Sequence, residues 1–69
     1  MSNQDSNIGE FSTDTRQRLI NAGLNLFGEH GFSATSTRMI AEAADANIAA
    51  IPYYFGGKRG LYEAVIEYI

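Results

Sequence analysis

Residues 35–58 read TSTRMIAEAADANIAAIPYYFGGK, and this stretch decides the fold. Its pattern predicts a short helix over residues 36–44, a tight turn through Asp45-Ala46-Asn47, and a second short helix over residues 47–54. A helix-turn-helix set within a small helical domain serves chiefly to place one helix in the DNA major groove. DNA binding is therefore the leading prediction from this stretch.

A longer amphipathic segment precedes the helix-turn-helix. Its apolar residues recur at three- and four-residue spacing, which predicts a first helix over about 14–30, capped by Thr13 or Asp14. Gly23 lies within the apolar stripe, where glycine costs about 1 kcal/mol relative to alanine. We therefore expect another helix to approach closely there. Gly31 follows the last turn and suits left-handed backbone at the helix end.

A further helix follows the aromatic run. Gly56-Gly57 breaks the chain, and a fourth helix is predicted from about residue 57. Its predicted apolar stripe is Leu61, Ala64, Val65 and Tyr68. The predicted fold class is therefore all-α: a small three-helix domain with a helix-turn-helix, plus the start of a fourth helix.

The two short helices carry local signals at their ends. Ser36 or Thr35 is expected to cap the helix over 36–44, and Asn47 is expected to cap the next one. Pro52 lies inside that next helix and lacks the N–H that would bond the carbonyl of Ile48. We therefore expect this helix to be short and distorted.

Composition excludes several classes of protein. The 69 residues are enough for one domain, and without cysteine they can form no disulfide or thiolate metal site. The single histidine, His30, has no carboxylate at ligand spacing, so no metal or cofactor is predicted. No nucleophile–base pair, paired carboxylates or glycine-rich phosphate loop is found, so the sequence does not predict an enzyme.

The charge balance is acidic. A formal net charge of −3 and a pI near 4.8 argue against a generic basic nucleic-acid binder. The deciding stretch is itself neutral, because Arg38 and Lys58 stand against Glu42 and Asp45. Charge alone is therefore expected to give weak DNA affinity.

The chain ends carry organisational signals. Residues 1–12 are polar and are predicted to be a disordered tail, with a leader left over from cloning as the alternative. They lack a secretory signal, and no apolar run approaches the roughly 18 residues of a membrane span, so a cytoplasmic protein without membrane contact is predicted. The apolar helical pattern still runs at Ile69, which predicts a fragment of a longer protein.

Several small motifs occur together in order. They are Leu19-Ile20, Ala22, Leu26-Phe27, Gly31-Phe32, Thr35-Ser36, Ile40-Ala41, Ala44, Tyr54-Phe55, Lys58 and Leu61. Each is weak alone, but jointly, at this spacing, they make residues 16–61 resemble the N-terminal DNA-binding domain of TetR/AcrR-type bacterial transcriptional regulators.

The resemblance implies a specific mode of action. Such proteins are homodimers that bind palindromic operators, and a larger C-terminal helical domain binds a small molecule and makes the dimer. Ligand binding there changes the separation of the two DNA-binding heads and releases DNA. The chain is thus expected to be the sequence-specific DNA-binding domain of a ligand-responsive repressor of the bacterial cytoplasm. The C-terminal domain would be absent from residues 1–69, which are expected to be monomeric.

The sequence departs from the family pattern at the turn and in the helix over 47–54. Asp45 stands where the turn usually carries glycine, although aspartate tolerates left-handed backbone better than most residues. Pro52 stands where the family has a phosphate-contacting tyrosine. Ile48, Ala49 and Ala50 stand where many relatives have polar or basic residues.

The helix over 36–44 supplies three candidate DNA-binding residues. Arg38 matches a position that reaches DNA in some family members, where a guanidinium suits guanine or a phosphate. Its alternative is an ion pair with Glu42 four residues on. Ser36 and Thr37 stand at the helix N-terminus, where hydroxyls, open N–H groups and the helix dipole favour a phosphate. Capping alone is their alternative, and both roles can hold at once.

The start of the next helix supplies four more candidates. Asn47, the expected cap, is also a DNA-binding candidate. Ile48, Ala49 and Ala50 are expected along the exposed half of the helix, where small apolar groups can contact thymine methyls. The alternative for Ile48 is a stray exposed hydrophobic residue, and either Ala50 or Ile51 is expected to face inward.

The last candidates lie at the end of that helix and at the start of the fourth. Tyr53 and Tyr54 can donate phenolic hydroxyls to phosphate, with core packing as the alternative, and Tyr53 is expected to be the more exposed. Lys58 opens the fourth helix, where a cation and free N–H groups together suit a phosphate. The acidic balance and the apolar surface leave a second function open, in which the helix-turn-helix contacts a protein rather than DNA.

Overall fold

A computed structural model describes residues 13–69, and the predicted disordered tail over 1–12 lies outside the described residues. The described part contains four α-helices. They are α1 (Thr13–His30), α2 (Thr37–Ala44), α3 (Ala50–Phe55) and α4 (Lys58–Tyr68). The all-α prediction is confirmed, and α1 and α2 match their predicted ranges to within one residue.

The core lies between α1 and the other three helices, because α1 packs against α2, α3 and α4, and α3 packs on α4. Its fully buried large side chains are Leu19, Ile40, Ile51 and Leu61. The predicted inward face of α2 is confirmed, with buried Ile40, Ala41 and Ala44. On α4 the predicted stripe holds for Leu61 and Val65, whereas Tyr68 is 55% exposed and was wrongly included.

Gly23 of α1 packs against Val65 of α4. A Cβ built at Gly23 would lie 3.1 Å from Cγ2 of Val65, tighter than ordinary van der Waals contact. The expected close approach of another helix is therefore confirmed, and it explains why the most flexible residue occupies the middle of a long helix.

The end of α1 is closed by two devices. Gly31 has φ +88°, the left-handed conformation expected there, and its N–H donates to the carbonyl of Phe27 at 2.8 Å. The buried Thr35 hydroxyl donates to the Gly31 carbonyl at 2.7 Å and lies 3.1 Å from the Leu26 carbonyl. The Phe27 carbonyl, in the last turn of the helix, and the Gly31 carbonyl just beyond it thereby have partners within the protein.

The backbones of α3 and α4 approach each other closely at their junction. Gly56 and Gly57 both have positive φ and reverse the chain. A Cβ at Gly60 would overlap the carbonyl oxygen of Phe55. The first turn of α4 therefore seats directly on the last residue of α3, an approach that only glycine permits.

Within residues 13–69, no helix combines the length and apolarity that crossing a membrane requires. The same residues contain no group of three or more His, Cys, Asp or Glu side chains placed to hold a metal ion.

Candidate nucleic-acid interface

The N-terminus of α2 is organised by Ser36. Its hydroxyl accepts from the N–H of Met39 at 3.1 Å, so the predicted cap is confirmed. The hydroxyl proton remains available to a second partner. Thr37 is half-buried, whereas Ser36 and Arg38 are exposed. Early N–H groups of a helix have no intrahelical acceptor, so this end of α2 presents donors to solvent.

The turn after α2 adopts the left-handed conformation expected at Asp45, with φ 55° and ψ 50°. The N–H of Asp45 donates to the Glu42 carbonyl at 3.1 Å, and that of Ala46 donates to the Ala41 carbonyl at 2.9 Å. This pair of bonds is the Schellman motif, which usually has glycine at the left-handed position. Aspartate therefore supports the turn that the family pattern assigns to glycine.

Arg18 of α1 fixes the same turn from the other side. Its Nε donates to the Ala44 carbonyl at 3.0 Å, and its Nη2 donates to the Asp45 carbonyl at 3.3 Å. Its Nη1 pairs with Asp14 at 2.5 Å. Sequence reasoning missed this role, and the Asp14–Arg18 spacing of four residues was the only local signal for it. Arg18 thus couples the position of α1 to the end of α2 and the turn that follows it.

Helix α3 begins later than predicted, at Ala50 rather than at Asn47. Asn47 still organises the entry, because its side-chain oxygen accepts from the N–H of Ala49 at 2.8 Å. The next two bonds span three residues, from Ala50 to Asn47 at 2.9 Å and from Ile51 to Ile48 at 3.1 Å. A tighter turn therefore precedes the helix, and the predicted boundary was wrong by three residues.

Pro52 consequently falls in the first turn of α3. An N–H there has no intrahelical partner, so proline removes no helical bond. The carbonyl of Ile48, which Pro52 could not have bonded, instead accepts from Ile51. The prediction of a short helix is confirmed, since α3 has six residues.

The exposed side of α3 and its entry contains Asn47, Ile48, Ala49, Pro52 and Tyr53. Ile48 is 45% exposed and sits among small residues, so this side is largely apolar. Ala50 does not belong to it: Ala50 and Ile51 are both fully buried. The prediction that Ala50 is exposed for thymine contact was wrong, because the late helix start turns its side chain into the core.

The two tyrosines at the end of α3 differ in burial. Tyr53 is 67% exposed and Tyr54 is half-buried against the core, which confirms the expected order. Their rings meet edge to face, with centroids 4.9 Å apart. Partial burial raises the pKa of Tyr54, the neighbouring Tyr53 raises it further, and Arg16 opposes the rise. The Tyr54 phenol therefore remains a donor throughout the physiological pH range.

Lys58 is the first residue of α4, as the sequence suggested. Its Nζ lies 4.2 Å from the ring centroid of Phe32, and the Arg59 guanidinium lies 5.8 Å from the same centroid. Phe32 packs in turn on Phe27 and Tyr62, at centroid distances of 5.8 and 5.0 Å. A cation over a ring face keeps its charge and its donors, so this aromatic cluster holds Lys58 in position without neutralising it.

The basic residues divide into two groups. Among the arginine and lysine side chains of residues 13–69, only Arg18 has a carboxylate at ion-pair distance, and His30 lies 3.6 Å from Glu29. The alternative pairing of Arg38 with Glu42 is absent there, and Lys58 and Arg59 contact only a ring. Arg16, which sequence reasoning passed over, lies over Phe55. Four of the five basic side chains in the sequence thus remain available to an external anion despite the acidic net charge.

Comparison with known proteins agrees with this geometry. The family model for bacterial regulatory proteins of the tetR family matches residues 19–65. The chain therefore belongs to the tetR family, and it forms the helix-turn-helix, DNA-binding part of a transcriptional regulator.

Individual relatives are similar over the same region. The chain is 48% identical over 53 residues to a probable HTH-type transcriptional regulator, YttP, of Bacillus subtilis, covering 77% of this chain and 26% of that protein. It is 54% identical over 54 residues to the HTH-type transcriptional dual regulator CecR of Shigella flexneri, covering 78% and 24%. It is 34% identical over 55 residues to the HTH-type transcriptional repressor NicS of Pseudomonas putida, covering 80% and 26%. The chain spans about a quarter of the length of these curated relatives.

Proposed function

We propose that this domain binds a palindromic operator sequence-specifically, as the head of a homodimeric, ligand-responsive repressor. One observation carries the proposal. Four of the five lysine and arginine side chains have no carboxylate at ion-pair distance among residues 13–69. Cations held apart from the acids are what phosphate contacts require.

Helix α3 would enter the major groove with its exposed, apolar side. Ile48 and Ala49 would contact thymine methyl groups, and the amide nitrogen of Asn47 would remain a donor because the cap uses only its oxygen. Arg38, exposed and unpaired within the described residues, would read guanine or grip a phosphate. Sequence preference would then rest on methyl contacts and Arg38 more than on polar side chains of α3.

The phosphate contacts would surround that helix. Ser36 and Thr37 would bind through the N-terminus of α2, Tyr53 and Tyr54 through their phenols, and Lys58 through its ammonium. Such contacts fix the docking orientation without reading sequence. The placement of Lys58 on a ring reduces the conformational freedom lost on binding.

The remaining parts of the proposal concern the longer protein. Dimerisation and binding of a small effector would be supplied by sequence outside residues 1–69, and the isolated domain would be monomeric and bind weakly. One head loses the effective-concentration gain of a second linked head. Binding rather than catalysis would be the activity, in the bacterial cytoplasm, because the matching relatives are named as regulators of transcription.

A salt titration tests the proposal. The full-length protein would be titrated onto its own promoter region and onto a shuffled duplex, from 50 to 200 mM salt. Affinity for both should fall steeply, by about 0.9 in log–log slope for each phosphate contact, with the promoter preferred throughout. Salt-independent binding, or no binding, would refute the repressor assignment.

Lys58→Ala tests the phosphate role inside that experiment. It should weaken binding to both duplexes by the same factor, because a phosphate contact carries no sequence information. Lys58→Arg is the charge-preserving control. Unchanged affinity for Lys58→Ala would remove Lys58 from the interface.

A protein-contact function is the second candidate. The exposed Ile48 and the acidic pI near 4.8 favour it, since an apolar helix face with little positive charge also suits a protein partner. Ile48→Ser separates the two functions. Loss of operator preference alone supports DNA readout, whereas loss of a co-purifying partner with DNA binding intact supports protein contact.

A further inference from the structure

Arg16 occupies an unusual place for an exposed arginine. It stands in the first turns of α1, and its guanidinium carbon lies 5.2 Å from the ring centroid of Phe55, the last residue of α3. The contact joins the start of α1 to the end of α3, and the two residues are 39 positions apart in the sequence. The sequence does not predict this contact.

Arg16 lines a surface groove together with Glu67 but forms no ion pair with it. Among residues 13–69 it has no carboxylate at ion-pair distance, in contrast to Arg18 two residues on, which pairs with Asp14. The positive charge of Arg16 acts to lower the pKa of Tyr54, against the larger effects of burial and of Tyr53, which raise it. The Tyr54 ring in turn meets the Tyr53 ring at 4.9 Å. Arg16 therefore stands at the same end of α3 as the tyrosine pair.

We propose that Arg16 binds a DNA backbone phosphate next to the one contacted by the tyrosine pair, with Phe55 as the ring that positions its guanidinium. The inference rests on the proposed operator binding and deepens it by one residue that neither the sequence nor the relatives assign. A guanidinium over a ring keeps its planar fork of N–H donors, which suits a phosphate oxygen pair.

The geometry gives the contact a specific role. Because Arg16 belongs to α1, its phosphate would lie against a different helix from those bound by α2 and α4. Phosphate contacts from separate helices fix the angle at which α3 enters the groove. Phe55 would act as a positioning residue, through the guanidinium and without touching DNA.

The test uses the full-length protein, its own promoter region and a shuffled duplex, titrated at 50 and 200 mM salt. Arg16→Gln should weaken binding to both duplexes and lower the log–log salt slope by about 0.9 per head, or about 1.8 per dimer. Over that fourfold salt range the advantage of the wild type over the variant should shrink by about tenfold. Asn25→Asp, an exposed α1 position, makes the same change in net charge away from this end of α3 and should leave the slope unchanged.

Phe55 supplies the second arm. Phe55→Leu should weaken binding with the salt slope retained, Phe55→Tyr should restore it, and Arg16→Gln should cost less in the Phe55→Leu background than alone. A slope unchanged by Arg16→Gln, or lowered equally by Asn25→Asp, overturns the inference while the wild-type slope still supports operator binding. Absence of salt-dependent binding by the wild type overturns both.

Discussion

Replacing Arg18 by leucine removes the fork that holds the turn between α2 and α3. Two bonds to main-chain carbonyls are lost, to Ala44 at 3.0 Å and to Asp45 at 3.3 Å, together with the ion pair to Asp14. Bonds from a charged donor contribute about 1.5–3 kcal/mol each when buried. The Arg18 side chain is 40% exposed, so water screens and replaces part of that contribution. We expect a total loss of about 1–2 kcal/mol.

Thermal unfolding of the 69-residue chain measures this loss. For a domain of this size, 1 kcal/mol lowers the midpoint by about 4–8 °C, so Arg18→Leu should lower it by about 5–15 °C. Asp14→Asn is the matched control, because it removes the exposed ion pair and leaves both carbonyl bonds in place. It should cost under about 1 kcal/mol.

Two results would contradict the reasoning. Equal destabilisation by Arg18→Leu and Asp14→Asn would mean that the ion pair, rather than the carbonyl bonds, carries the stability. A lower salt slope of DNA binding in Arg18→Leu, measured in the full-length protein, would mean that Arg18 contacts phosphate. We predict an unchanged slope, because the Arg18 guanidinium is already bonded to two main-chain carbonyls and to Asp14.

Three further substitutions probe the packing at two helix glycines and the contact between Phe32 and Lys58. Gly60→Ala should cost more than about 3 kcal/mol or abolish cooperative thermal unfolding, because the new Cβ overlaps the Phe55 carbonyl. Gly28→Ala, also within a helix but with no atom near its Cβ, should instead stabilise by about 0.5–1 kcal/mol, and a similar loss at both sites would refute the crowding. Phe32→Leu should weaken DNA binding a few-fold, as expected for a cation–π contact of about 0.5–1 kcal/mol. Fluorescence anisotropy of a labelled operator checks it, and the salt slope should stay that of the wild type because Lys58 keeps its charge.

Local signals were sufficient to predict most of the fold. The apolar spacing of α1, the Ser36 cap and the left-handed Asp45 all depend on residues close in sequence, and each is confirmed. The start of α3 was wrong for a related reason. Asn47 is a good cap, but its oxygen holds a tight turn first, and the helix begins only at Ala50.

The functional surface was harder to predict because its electrostatics are tertiary. Whether a basic side chain is paired depends on what folds beside it, and the sequence shows only neighbours along the chain. Arg18 looked like one more surface charge and proved to fasten a turn, whereas Arg16 and Lys58 are held by rings distant in sequence. The burial of Ala50 likewise depends on the helix start and on the packing of α3 against α1 and α4.

The seat of Gly60 on Phe55 has a mechanical consequence. Where a flexible side chain separates two helices, a change of its rotamer can absorb a small rotation of one helix before the other helix moves. Here backbone meets backbone, and interfaces this tightly packed do not deform gradually. A rotation of α4 would therefore be transmitted directly to the end of α3, and the two helices would move as one rigid unit.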